Sequence, residues 1–151
     1  MEEFPWMAAL YYTKQDGSGG EFKCGGTMIS NRYVLTAARC LNVPGFDLTA
    51  VRFGEWKFSA NKDCIRDTEL IEEVCTEPVV DVKIEEKIAH VYYNSTSGSN
   101  DIALLRLESK IQFSEYIRPI CLPPSGLKSP TPGSLMTATG WGLSETGNFP
   151  I

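Results

Sequence analysis

Apolar positions along this chain come in short, β-rich stretches separated by turn residues. Residues 7–13 read as a strand, closed by Gly17-Ser18-Gly19-Gly20. Residues 22–29, 33–36, 49–56 and 79–84 follow as further strands. In the last of these Val80, Val82 and Ile84 alternate with Asp81, Lys83 and Glu85, the period-2 pattern of a half-buried strand. Residues 102–107 and 135–141 complete the set, and only residues 36–41 offer a helical turn. Many short strands with turns between them predict an all-β sandwich or barrel. Five of the nine prolines lie between Pro119 and Pro132. Proline has no N–H for a β-ladder, so this stretch reads as an extended connector leading to the strand at 135–141.

The length, 151 residues, is that of one domain or part of a larger one, and at 42% hydrophobic the chain can bury a core. No apolar run approaches the roughly 18 residues of a membrane span. A net charge of −5 argues against a nucleic-acid binder and against docking on an anionic membrane. The acidity is local. Nine of the nineteen acidic residues lie in 63–86, where only Arg66 and Lys83 are basic.

Five cysteines in this length point to disulfides and an oxidising compartment. Four can pair internally, and the fifth must find a partner elsewhere or stay free. The opening Met1-Glu-Glu-Phe-Pro-Trp6 is acidic and no sufficient apolar stretch follows, so it is not an export signal. The expectation is of a processed chain or a fragment.

Three segments then stand in order: Cys24-Gly-Gly-Thr-Met-Ile-Ser30 with Val34-Leu-Thr-Ala-Ala-Arg-Cys40, Asn100-Asp-Ile-Ala-Leu-Leu-Arg-Leu107, and Arg118-Pro-Ile-Cys-Leu-Pro123. Phe4-Pro-Trp-Met7 precedes them and Thr139-Gly-Trp-Gly142 follows. Together they resemble the chymotrypsin/trypsin-like serine proteases, over nearly the whole chain. The resemblance implies two antiparallel Greek-key barrels with the active site between them. Residues 1–118 would form the first barrel, 119–134 the interdomain connector, and 135–151 the start of a truncated second barrel. The cysteine pattern is closest to the arthropod clip-domain proteases and their non-catalytic homologs. By that resemblance Cys24 pairs with Cys40 around the loop of the general base. Cys64 pairs with Cys75 across an acidic loop. Cys121 ties the domain to an upstream pro-segment.

The family's mechanism needs a serine nucleophile, a histidine base and a buried aspartate that orients the histidine. Asp101 matches the aspartate. The histidine position is Arg39, whose guanidinium has no lone pair with which to take a proton. The one histidine, His90, lies where the family carries a structural residue on the outer side of the barrel, and it receives no catalytic role. The family's Gly-Asp-Ser-Gly-Gly stretch occurs nowhere in the 151 residues; Ser18-Gly-Gly20 and Ser97-Gly-Ser99 have other neighbours and precede the connector.

Smaller signals remain. Asn94-Ser-Thr96 is an N-glycosylation sequon in a polar loop. The acidic loop of residues 55–77 lies where some relatives hold Ca²⁺, which makes Glu55 a candidate ligand. Its spacing fits no strict pattern, and a solvated acidic face is the preferred reading. One histidine cannot supply a zinc cluster, and no nucleotide-binding fingerprint is present. The expectation is therefore a secreted, non-catalytic serine protease homolog without cofactor, binding extracellular proteins such as cascade proteases. The alternative is a partial sequence of an active serine-type endopeptidase in which Arg39 is a variant or an error.

Overall fold

The computed structural model describes residues 3–58, 64–66 and 73–142. Strands β1 (Met7–Lys14), β2 (Gly20–Met28), β3 (Tyr33–Thr36), β4 (Phe46–Phe53), β7 (Val80–Ala89) and β8 (Ala103–Leu107) close into an antiparallel barrel in the order β1-β2-β3-β8-β7-β4. Two short strands, β5 (Cys64–Arg66) and β6 (Glu73–Cys75), form a separate ribbon between β4 and β7. A 3₁₀ turn spans Ala38–Leu41. Since β4 returns to pair with β1 while β1, β2 and β3 follow one another, the first four strands make a Greek key.

Strand alternation fills the interior. Ala8, Leu10 and Tyr12 of β1, Val34 of β3, Leu48, Val51 and Phe53 of β4, and Leu105 and Leu107 of β8 form one buried cluster. Burying a side chain of the size of Leu10 or Phe53 stabilises by about 1.5–3 kcal/mol each. Gly26 lets β3 close on β2, because a Cβ there would lie 2.6 Å from Val34 Cγ1 and 3.1 Å from the Leu35 carbonyl oxygen. At Gly54 the backbone turns to φ +72°, a conformation that favours glycine, and β4 ends there.

Six of the seven pattern-based strands are present in the expected order, with shifted limits. β4 runs earlier than residues 49–56, because it picks up Phe46 and Leu48 after the Pro44-Gly45 turn and stops at Gly54. β7 runs five residues past Ile84, across an irregularity in its pairing with β8 between Ile84 and Glu86. Its outer half is too polar to read as a strand. The ribbon β5–β6 carries no hydrophobic alternation and was not expected from the pattern. A correction concerns residues 135–141, which form no ladder. A strand exists through its partner's N–H and C=O groups, and among the described residues nothing pairs with this stretch; Leu135 is fully exposed.

The connector starts on the barrel wall. The Arg118 N–H donates to the Pro5 carbonyl at 3.0 Å, and the Ile120 N–H to the Met28 carbonyl at 2.9 Å. Beyond it, residues 121–134 carry neither strand nor helix.

Candidate functional site

The turn after β3 decides where position 39 points. Ala37 is extended and the chain then tightens into the 3₁₀ turn, the Cys40 N–H donating to the Ala37 carbonyl at 3.1 Å. Ala38 and Cys40 are buried, which turns the side chain between them, Arg39, outward. Three ties hold this turn. The Cys24–Cys40 disulfide bonds it to β2. The fully buried Tyr12 donates its hydroxyl to the Cys40 carbonyl at 2.7 Å. Thr36 donates its hydroxyl to the Gly25 carbonyl at 2.9 Å. Burial pushes the Tyr12 phenol up to about 12.

Asp101 is presented by a second tight turn. Asn100 has φ +56°, the only non-glycine residue with positive φ among the described residues. Asparagine tolerates this left-handed conformation better than most. Its side-chain N–H donates to the Tyr92 carbonyl at 2.9 Å, and the Ile102 N–H closes back on the Asn100 carbonyl at 2.8 Å. Asp101 stands at the tip of that turn.

The two turns meet. The backbone N–H of Arg39 donates to Asp101 Oδ1 at 2.8 Å, and the guanidinium Nη1 pairs with Oδ2. The Asp101 side chain is 18% exposed and that of Arg39 71%. The Asp101 carboxyl is held below the ordinary carboxylate range, first by the Arg39 N–H and then by the Arg39 guanidinium, against the opposing effect of desolvation. Beside the pair lies a cleft of about 670 Å³, lined among others by Phe22, Thr36, Ala37, Ile102 and Trp141. Trp141 closes one side, its indole N–H donating to the Trp56 carbonyl at 3.3 Å and its ring 5.3 Å from that of Phe58. The arrangement holds a carboxylate and a cation, with no proton acceptor at position 39.

The other sequence candidates lie apart from this pair. His90 is exposed, and its Nδ1 accepts from the Tyr92 N–H at 3.2 Å, so the imidazole is turned onto its own loop. Cys64 and Cys75 are bonded as partners across the β5–β6 ribbon, and Cys121 is an exposed free thiol. Asn94 is exposed in the loop between β7 and β8. Glu55, the candidate Ca²⁺ ligand, has a fully buried side chain, with Oε2 3.3 Å from Arg52 Nη1 in an ion pair. Arg52 also binds Asp81 with two N–H groups at 2.8 Å each. Among the described residues no group of three or more His, Cys, Asp or Glu could hold a metal ion. Residues 59–63 and 67–72 of the acidic loop lie outside the described residues. Tyr12 and Asn100 were missed as supports of the site. Tyr12 reads as one more inward strand residue, whereas an asparagine directly before the aspartate was a usable turn signal.

Comparison with known proteins accords with this geometry. The trypsin family profile matches residues 1–150, and the chain belongs to that family. It is 45% identical over 159 residues to Melanization protease 1 of Drosophila melanogaster, covering 97% of this chain and 38% of that protein. Phenoloxidase-activating factor 3 of Holotrichia diomphalia is 42% identical over 146 residues, covering 95% and 40%. Among solved structures, the Drosophila Grass clip serine protease of the Toll pathway superposes with a TM-score of 0.73 at 41% identity, covering 83% of this chain and 34% of that one. The relatives include further insect clip-domain proteases, one of them from Bombyx mori. The chain spans about two fifths of the length of these curated relatives. Catalysis in this family requires no cofactor. Among the described residues no helix is long and apolar enough to cross a membrane.

Proposed function

We propose that this chain is the first-barrel portion, residues 1–118, of a secreted trypsin-like protease domain that does not catalyse proteolysis. In this reading residues 119–134 connect to a second barrel that begins at 135–151. The domain acts by binding proteins in an extracellular protease cascade, and Cys121 links it covalently to an upstream pro-segment. One observation carries the proposal: the general-base position holds Arg39, whose guanidinium is engaged with the triad carboxylate Asp101. A guanidinium stays protonated at any pH a protein survives, so it cannot take the proton of a serine. Loss of a triad member costs a factor of roughly 10⁴–10⁶ in kcat. Support for the setting comes from relatives named for such work, among them the Spaetzle-processing enzyme. The test is fluorophosphonate labelling and peptide hydrolysis by the full-length, activation-cleaved protein carrying Arg39. Neither is expected, and stoichiometric labelling with turnover would overturn the reading.

A second reading, an active endopeptidase with histidine at position 39, is favoured by the bond from the backbone N–H of residue 39 to Asp101. That bond does not depend on the side chain, and it leaves the carboxylate placed for a triad. Sequencing of the transcript through codon 39 separates the two readings.

A further inference from the structure

Asn94-Ser-Thr96 is the only Asn-X-Ser/Thr stretch in the 151 residues, and the fold gives it a particular shape. Asn94 opens the turn that leads into Asp101. Its N–H donates to the Ser99 carbonyl at 3.0 Å, and its carbonyl accepts the Gly98 N–H at 2.9 Å. The side chain caps the turn from inside. Oδ1 accepts the N–H of Thr96 at 2.9 Å and that of Ser97 at 3.0 Å. Both bonds use the carbonyl oxygen of the amide. Among the described residues Nδ2 donates to nothing, and Asn94 is exposed.

Asn100, six residues on, shows the opposite use of an asparagine. Its Nδ2 donates to the Tyr92 carbonyl, so a group added there would break a structural bond. At Asn94 one amide hydrogen can be replaced without loss of any hydrogen bond. Ser95 at the middle position is not proline, and Thr96 supplies the hydroxyl residue that the acceptor motif requires.

We propose that Asn94 carries an N-linked glycan, attached through Nδ2, on the loop that runs into Asp101. The donor is an oligosaccharide linked to a lipid diphosphate. Nδ2 gives up one proton to a base of the transferring enzyme and forms a bond to C1 of the first sugar. The C1–oxygen bond to the diphosphate breaks, and the lipid diphosphate leaves. No oxidant or reductant takes part. Attachment precedes folding, and the folded turn accommodates the product because the cap rests on Oδ1 alone.

Occupancy in the native protein rests on the secretory reading proposed above, so the test separates the two. The full chain is translated behind a cleavable export signal in the presence of microsomes, and protease protection marks the translocated molecules. Protected chain should shift by one glycan, the shift should disappear with N-glycosidase, and Asn94→Gln, Thr96→Ala and Ser95→Pro should each abolish it. Protected wild-type chain that never shifts would overturn the proposal. The natural, full-length gene expressed in insect cells without an added signal then reports secretion. Protein retained in the cytosol there refutes the secretory reading, and secreted protein without a glycan on Asn94 refutes the modification.

Discussion

Arg39 holds Asp101 twice: its backbone N–H reaches Oδ1 at 2.8 Å, and its guanidinium reaches Oδ2. The first bond belongs to the fold, since any residue but proline at position 39 would make it. The second belongs to arginine. The carboxylate therefore keeps its lowered pKa for two separable reasons, the backbone bond being the larger.

That division sets the pH dependence. A carboxylate whose folded pKa lies below its unfolded value stabilises the fold above the unfolded pKa, and the contribution is lost as pH falls through the folded pKa. Asp101→Asn should therefore unfold more easily than wild type at pH 7, with the difference closing in strong acid. Arg39→Ala should show a smaller gap, because it removes only the guanidinium and leaves the N–H in place. Urea titrations of the three proteins from pH 7 to pH 2 measure this. A difference that does not change with pH would show that the charge of Asp101 does nothing for stability.

Much of this was legible beforehand, for a physical reason. Inward positions of a barrel strand must be apolar, and Leu105 and Leu107 or Val34 announce themselves by alternation. Arg39 and Asp101 stood out because they sit in short motifs whose residue types are set by chemistry. Illegible were features that depend on a partner far along the chain. Tyr12 and Cys40 are 28 residues apart and meet only when the barrel closes. β7 outruns its hydrophobic pattern because its ladder with β8 holds it. Residues 135–141 have a strand's composition and still form no strand, since pairing is a property of two segments.

Tyr12 tests how firmly the turn at position 39 is held. Tyr12→Phe deletes the bond to the Cys40 carbonyl and leaves a buried acceptor without a donor, which costs about 1–3 kcal/mol. The phenol itself, raised from 10.0 to about 12, gives a stability term that is complete below pH 10.0 and is lost as pH rises through about 12. Tyr12→Phe should lack that alkaline loss. Guanidinium denaturation at pH 8 and pH 11 reads both effects.

The Cys24–Cys40 bond closes a span of 16 residues that includes β3 and the turn. Chain entropy gives such a crosslink about 3 kcal/mol. The double variant Cys24→Ala with Cys40→Ala should lose about that much. It should also lose protection of the Arg39 amide in hydrogen exchange, since of the turn's three ties only those of Tyr12 and Thr36 then remain. Full protection of that amide in the double variant would show that the disulfide does not position the turn.

Arg39→His replaces a permanent cation by a group that can take a proton, beside the same carboxylate. The backbone bond to Asp101 Oδ1 survives, so the imidazole is offered Oδ2, the oxygen the guanidinium now occupies. An adjacent negative charge favours the protonated ring, and its pKa should rise above the ordinary value of about 6.5. By linkage the pair then stabilises the fold fully below about 6.5 and loses that contribution as pH rises through the higher folded value. Proton NMR of the imidazole, with urea melts at pH 5 and pH 9, follows both quantities. An imidazole titrating at or below about 6.5 would mean that the ring has turned to solvent, and that Asp101 grips residue 39 by its backbone alone.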